Sequence, residues 1–295
     1  MSSCVPCPAC DDGITIDVVE LIDSEGICDP TGPSRLFHCK RCRLYFRYPP
    51  KDPLALLRLY QEQPGDRWAY AASRPDFALA MRLLDRLSAG QKVLDVGCFR
   101  GDLLVALPDT LQKFGIEPSV AARAIAAQRH ITVLGSDVDN SALGPLQFDA
   151  ILLLDVLEHL PRPMDALRHL RAHLANSGIM ILSTGNTDAL PWRLMRRRYW
   201  YYVTEHVCFF NPAWFAWSAR ELRLAVRVVT KFSHFPAPVV IRIWQLVKCL
   251  SYVCLLTLQR ALPFVWQKEF WTAPKTFRWR DHLFVVLSAD GKSLR

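Results

Sequence analysis

The run Val93-Leu94-Asp95-Val96-Gly97-Cys98-Phe99-Arg100-Gly101-Asp102 carries an apolar strand straight into a turn containing two glycines, after which a helical pattern begins. In an open parallel sheet, ligands collect beyond the carboxyl ends of the strands, and glycine lets a ligand approach the backbone. The next apolar run ends in Phe114-Gly115-Ile116-Glu117. That places an acid about 20 residues beyond the turn, a position suited to ribose hydroxyls.

The pattern around this motif is regular. Short apolar runs at Lys92 to Val96, Lys113 to Glu117, Thr132 to Leu134, Ala150 to Asp155 and Gly178 to Thr184 alternate with helical segments at Leu103 to Leu107, Val120 to Gln128 and Pro163 to Leu174. Such alternation implies right-handed crossovers and a parallel sheet covered on both faces. A helical stretch, Leu54 to Leu87, precedes it. After Thr184 come a basic aromatic segment, a helix at Pro212 to Leu222, a strand at Val226 to Phe232 and a last strand at His282 to Ser288.

Taken in order, Val93 to Gly101, Glu117, Phe148-Asp149-Ala150-Ile151-Leu152-Leu153-Leu154-Asp155-Val156-Leu157-Glu158-His159-Leu160 and Leu174 to Ser183 resemble the class I S-adenosylmethionine-dependent methyltransferases. The resemblance covers about residues 92 to 185 and implies an α/β fold, a Rossmann-like, doubly wound and mostly parallel seven-stranded sheet. It also implies roles. Asp95 and Gly97 would border the methionine part of S-adenosyl-L-methionine, Gly101 would close the turn, and Glu117 would hold the ribose. Asp137 would sit near the adenine and Asp155 would line the site. Phe99 departs from the family pattern, which commonly has glycine there.

The first 42 residues hold six of the ten cysteines. Cys7-Pro8-Ala9-Cys10 and Cys39-Lys40-Arg41-Cys42 form two Cys-x-x-Cys knuckles, each offering two thiolates from one tight turn, as a structural zinc site requires. Cys4 stands at the same spacing from Cys7 and is an alternative member of the first knuckle; Cys28 has no close partner. This zinc-ribbon-like leader is similar to that of methyltransferases associated with sugar, polysaccharide and secondary-metabolite modification. Ribosomal RNA guanine methyltransferases also carry an amino-terminal zinc site. The expected division is a leader at 1–50, a helical connector at 51–91, a methyltransferase core at 92–235, an amphipathic insertion at 236–281 and the core's last strand at 282–295.

Methyl transfer to oxygen or carbon needs a base near neutral pH. His159 follows the fourth strand of the core, and Glu205-His206 follows the fifth. In the similar sugar methyltransferases a Glu-His pair at this place contributes to the acceptor site, so His206 is the expected base, with His159 and Glu205 assisting. His169 and His173 share a helix face without a third ligand and read as solvated.

Composition bounds the rest. At 295 residues with 51% hydrophobic side chains and 13 glycines, the chain is neither disordered nor fibrous. Its net charge of +8 is concentrated in residues 190–282, which also hold eight of the nine tryptophans. Met1 to Ser34 lacks a long apolar run, so a cytoplasmic protein is expected. The longest apolar stretch, Ala237 to Leu258, is interrupted by Arg242, Gln245 and Lys248. On a helix these fall on a polar arc of roughly 120° with Gln259 and Arg260, opposite Ile243, Leu246, Val247, Leu250, Val253 and Cys254.

Three readings compete for the basic aromatic region. It is a lid and peripheral contact with the inner membrane surface through 237–262, an RNA-binding surface through Arg196-Arg197-Arg198 and stacking aromatics, or a dimerising face of a non-catalytic protein. The apolar helix favours lipid or protein over nucleic acid. The expected acceptor is a sugar or glycan-linked small molecule, including a glycan-lipid.

Overall fold

The computed structural model of the chain describes residues 5–12, 15–20, 34–50, 52–61, 74–139, 141–203, 205–261 and 279–289. Cys4, Cys28, Trp68 and Tyr70 lie outside them. In order, the elements begin with β1 (Thr15–Glu20), β2 (Arg35–Cys39), β3 (Tyr45–Tyr48), α1 (Pro53–Gln61), α2 (Pro75–Leu84) and β4 (Lys92–Val96). The core continues through α3 (Asp102–Val105), β5 (Gln112–Ile116), α4 (Val120–Gln128), β6 (Thr132–Gly135), β7 (Phe148–Leu154), α5 (Pro163–Ala172) and β8 (Leu174–Gly185). It closes with α6 (Leu190–Met195), β9 (Cys208–Phe209), α7 (Pro212–Glu221), β10 (Ala225–Phe232), α8 (Val239–Ala261) and β11 (His282–Ser288). The single helical stretch expected before the core is two helices, α1 and α2.

Seven strands form one sheet in the order β10-β11-β8-β7-β4-β5-β6. β11 runs antiparallel to both β8 and β10, while β8, β7, β4, β5 and β6 pair in parallel. The chain reverses its direction of travel at β4 beside β7, which opens a crevice beyond their carboxyl ends. The apolar runs read from the sequence are continuous because these strands are buried on both faces. The two faces separate by alternation: Leu94, Val96, Ile151, Leu153, Met180 and Leu182 pack on one side, and Val93, Ala150, Leu152, Leu154 and Ile181 on the other.

Local chemistry sets the helix starts. Asn211 accepts from the Trp214 N–H at 2.9 Å ahead of Pro212 at the first turn of α7, and Ser119 accepts from Ala122 N–H at 3.3 Å to cap α4.

The leader is built into the core. β1, β2 and β3 form an antiparallel sheet whose fourth strand is β9, with Tyr45 opposite Phe209 and Phe46 opposite Cys208. Cys7, Cys39, Cys42, Phe37 and Phe46 belong to the same continuous apolar core as Leu94 and Ile151.

Helix α8 forms where the apolar stretch predicts, with part of its polar arc turned toward the protein. Arg242 and Gln245 turn half-buried toward the protein, beside buried Cys249 and Tyr252, while Ile243, Val247 and Leu250 are exposed. The inner face is held by contacts with α6 and by polar bonds that the sequence alone did not disclose.

Candidate functional site

At the carboxyl end of β4, the turn adopts the left-handed backbone that its glycines permit. Gly97 has φ 75° and Gly101 φ 77°. A Cβ at Gly101 would meet Ile131 Cδ1 at 1.9 Å, and one at Gly97 would meet Val156 Cγ2 at 2.6 Å, so both positions exclude a side chain. Phe99 occupies the left-handed region too, at φ 50°. Its N–H donates to Glu117 Oε2 at 2.8 Å, and Ser119 N–H donates to Oε1 at 2.8 Å. Glu117 therefore ties the turn after β4 to the end of β5. A carboxylate has about four acceptor positions, so each oxygen retains capacity for a ribose hydroxyl. Burial raises the Glu117 carboxyl above its ordinary range, against those two amides.

Asp95 stands inside the end of β4 and is 5% exposed. Burial pushes its carboxyl up to about 8, with Arg74 opposing and Glu117 and Asp76 adding to the rise. Asp137 follows β6 and accepts from Ser136 Oγ at 3.0 Å. Asp155, at φ 56° after β7, accepts from Arg74 Nη2 at 2.7 Å and from Ser183 Oγ at 3.3 Å. His234 Nε2 is 3.0 Å from the same carboxylate. Burial disfavours the Asp155 carboxylate, but His234 and Arg74 overcome it and hold the carboxyl well below its usual range.

The histidines singled out by the sequence meet. The His159 and His206 rings lie 4.8 Å apart, edge to face. His206 Nδ1 is 2.9 Å from the Tyr201 carbonyl and His159 Nδ1 is 3.2 Å from the Glu205 carbonyl. A carbonyl only accepts, so each Nδ1 carries the hydrogen and each Nε2 keeps its lone pair. Burial lowers both imidazoles, and His159 lowers His206 further, so both are neutral at pH 7. Glu205 reaches this pair through its backbone carbonyl. Beneath them the fully buried Glu158 accepts from Tyr201 OH at 2.5 Å and Thr184 Oγ1 at 2.8 Å, and burial followed by Asp155 raises it to about 7.

Three parts of the site left no motif. Arg74 and Asp76, joined by bonds of 3.0 and 2.5 Å, reach Asp155 from the start of α2. His234 packs 4.3 Å from the His282 ring, and His282 Nδ1 lies 3.6 Å from Asp281. Burial opposes the His234 charge, but Asp155 and Asp76 prevail and raise it, which makes His234 a poor base beside His206. Arg47, 3% exposed, comes from the leader: its Nε donates to His206 O at 2.6 Å, and its Nη2 to Tyr202 O at 3.0 Å and Val203 O at 2.7 Å. Its basic character alone does not distinguish it from the surface arginines; the signal would have been its place one residue after a buried Phe46 on a strand. Arg47→Ala removes a donor from three carbonyls, of which Val203 O keeps the His206 N–H. At about 1 to 3 kcal/mol for a buried unsatisfied group, it is expected to destabilise the protein by about 3 kcal/mol and speed amide exchange across 201–207, measured by thermal unfolding and hydrogen exchange.

Cys7, Cys10, Cys39 and Cys42 converge. Cys7 Sγ is 3.5 Å from Cys42 Sγ, Cys10 Sγ is 3.6 Å from Cys39 Sγ, and all four sulfurs lie within 4.8 Å of one another. Four thiolates about 2.3 Å from a tetrahedral zinc stand about 3.8 Å apart, so the residues fit that ion and these four would hold it. All four cysteines are free of disulfides. Hydrogen bonding from Cys39 and burial push the Cys7 thiol up, and a bound metal would displace its proton.

Within the aromatic segment, Tyr199, Tyr201 and Tyr202 are 1%, 3% and 1% exposed and pack with Trp192, while Trp200 is half-buried. His169 and His173 have rings 5.3 Å apart, and His173 Nδ1 is engaged by Leu146 O at 3.0 Å.

A glycine turn after the central strand, an acid ending the next, and a seven-stranded sheet whose strand β11 is reversed define the class I methyltransferase architecture. The chain belongs to the methyltransferase domain family, whose profile matches residues 60–227. It is 29% identical over 171 residues to a ubiquinone biosynthesis O-methyltransferase of Thiobacillus denitrificans, covering 52% of this chain and 73% of that one. To the corresponding protein of Pseudomonas entomophila it is 35% identical over 115 residues, 36% of this chain and 49% of the relative. The chain thus spans about half the length of several curated relatives. Among solved structures, the N-methyltransferase NodS of Bradyrhizobium japonicum, with bound S-adenosyl-L-homocysteine, is 15% identical with a TM-score of 0.47, covering 79% of this chain and 95% of that one.

Proposed function

We propose that the protein methylates an oxygen or carbon of a sugar or glycan-linked small molecule, using S-adenosylmethionine and His206 as the base. The observation that carries this reading is the pair of half-buried imidazoles, 4.8 Å apart at the carboxyl end of the sheet, each with its Nδ1 on a backbone carbonyl. When bound, S-adenosylmethionine supplies a sulfonium methyl group, and the C–S electron pair stays on sulfur as the methyl leaves.

The chain's own residues do the remaining work. Glu117 accepts the ribose hydroxyls and keeps the turn in place, while the Gly97 to Gly101 backbone admits the methionine portion. His206 Nε2 takes the acceptor proton and becomes imidazolium, which the Tyr201 carbonyl steadies through Nδ1–H. The His159 ring, 4.8 Å away, assists. The curated relatives named for O-methyl transfer in ubiquinone biosynthesis favour a second reading, a phenolic or otherwise amphiphilic acceptor. It would use the same base.

Calorimetric titration with S-adenosylmethionine and S-adenosylhomocysteine tests the cofactor. Saturable binding is expected for the native chain and for His206→Ala. Glu117→Ala is expected to bind about tenfold to a hundredfold more weakly, for the loss of hydrogen bonds to a charged acceptor worth about 1.5 to 3 kcal/mol. Absence of binding to folded native protein overturns the enzyme reading in favour of an interaction protein.

A further inference from the structure

The inward turn of Arg242 and Tyr252 on α8 has a physical rationale. Two of its inward residues are engaged: Arg242 Nε donates to Ala237 O at 2.9 Å, the Arg242 carbonyl accepts from Trp279 Nε1 at 2.8 Å, and Tyr252 OH accepts from Arg198 Nη1 at 2.8 Å. Its outward face carries Val240, Ile243, Trp244, Val247, Leu250 and Leu258, between 43% and 76% exposed. At 100° per residue these six fall within an arc of roughly 120°, and from Val240 to Leu258 they extend about 27 Å along the axis. A continuous apolar stripe of that length, facing solvent, marks an interaction surface.

We infer that this stripe seats the protein on an anionic phospholipid surface, with α8 lying in the plane of the membrane. Charge selects the occupant. Helix α8 contains Arg242, Lys248 and Arg260 and no aspartate or glutamate. A second copy would bring the same positive charge to the stripe, whereas an anionic bilayer brings the opposite one. Lys248 sits at the rim of the stripe, 5.6 Å from the Trp244 ring, an arrangement in which the ring meets the acyl boundary and the ammonium meets headgroups.

Geometry selects the orientation. Val239–Leu258 has the length and mean hydropathy, 1.7, of a membrane span. Crossing would draw Cys249 and Tyr252 out of the packing they share with Trp192 and Tyr202, break the Arg198 bond and carry Arg242 and Lys248 into hydrocarbon. Lying flat keeps every inward contact. The inference concerns how the protein meets a surface and holds whatever its acceptor is.

The test is flotation of the full chain with vesicles of phosphatidylcholine alone or with one quarter phosphatidylglycerol. The native protein is expected to float with the anionic vesicles in 50 mM salt, at least fivefold more than with the neutral ones. Ile243→Glu with Val247→Glu is expected to reduce flotation at least tenfold. Asn176→Asp with Ser177→Glu, two exposed positions at the opposite end of β8, adds the same charge and is expected to leave flotation unchanged. Circular dichroism and S-adenosylhomocysteine binding verify that each variant is folded. Failure of the native protein to float at 50 mM salt overturns the inference, as does unchanged flotation of the Ile243/Val247 variant. So does a concentration-dependent dimer that this variant converts to monomer, which would assign the stripe to a second copy.

Discussion

Protein carrying Cys39→Ser is expected to be isolated with less than about a tenth of an equivalent of zinc, against about one for the native chain, and to melt earlier. Four thiolates at the observed spacing close a tetrahedral site, and removing one opens it. Binding free energy in such sites is folding free energy, of order 10 to 16 kcal/mol in zinc-finger peptides, so the loss reaches beyond the metal. β2 ends at Cys39 and leads through its knuckle into β3, which places Arg47 against the His206 loop. Hydrogen exchange across 201–209 is therefore expected to rise in the same variant. Metal analysis of protein purified without chelator measures the first effect. A zinc content below half an equivalent in the native chain would contradict the assignment, and buried Cys249→Ser, outside the cluster, serves as the control with full zinc.

The second large effect concerns His206. Removal of a general base typically costs about a hundredfold to ten-thousandfold in turnover, so His206→Gln is expected to lose that much methyl transfer while binding S-adenosylhomocysteine normally. pH adds an independent readout that needs no acceptor. Burial depresses the His159 and His206 imidazoles in the folded state, whereas in the unfolded chain each titrates near 6.5. Below about pH 6.5 the unfolded chain binds protons that the folded chain refuses, so stability falls as pH falls toward the folded-state values. The slope is at most about 1.4 kcal/mol per pH unit for each histidine. His206→Gln is expected to reduce that acid-side slope, as read from unfolding temperatures between pH 6.5 and 5. An unchanged slope would show that His206 is charged or solvated in the fold.

The parallel core was legible because its strands are buried on both faces, which writes them as unbroken apolar runs such as Ala150 to Leu154. Glu117 was legible for a similar reason: it ends a strand whose register with β4 is fixed by the sheet. His159 and His206 were identified, but the orientation of their rings depends on carbonyls of Glu205 and Tyr201, which sequence does not encode as side-chain identity. Arg74, Asp76 and His234 were not legible, since their partnership with Asp155 spans three elements far apart in the chain. On α8 the polar arc was legible, but not that Arg242 and Gln245 turn toward the protein. Their half-burial follows from bonds to Ala237 and from packing beside Cys249, which amphipathic periodicity cannot show.

The strand that completes the leader sheet sets an order of events during synthesis. Arg47 lies 159 residues ahead of its acceptor at His206, and β3 finds its outer neighbour only in β9. At about 5 to 20 residues per second, the ribosome needs roughly 8 to 32 s to supply that partner. Until then the amino-terminal cysteines and Phe46 await a surface that does not yet exist, so a metal held by the four cysteines would be captured before the loop at 201–207 is assembled. The loop bearing His206 is thus shaped on a template laid down first.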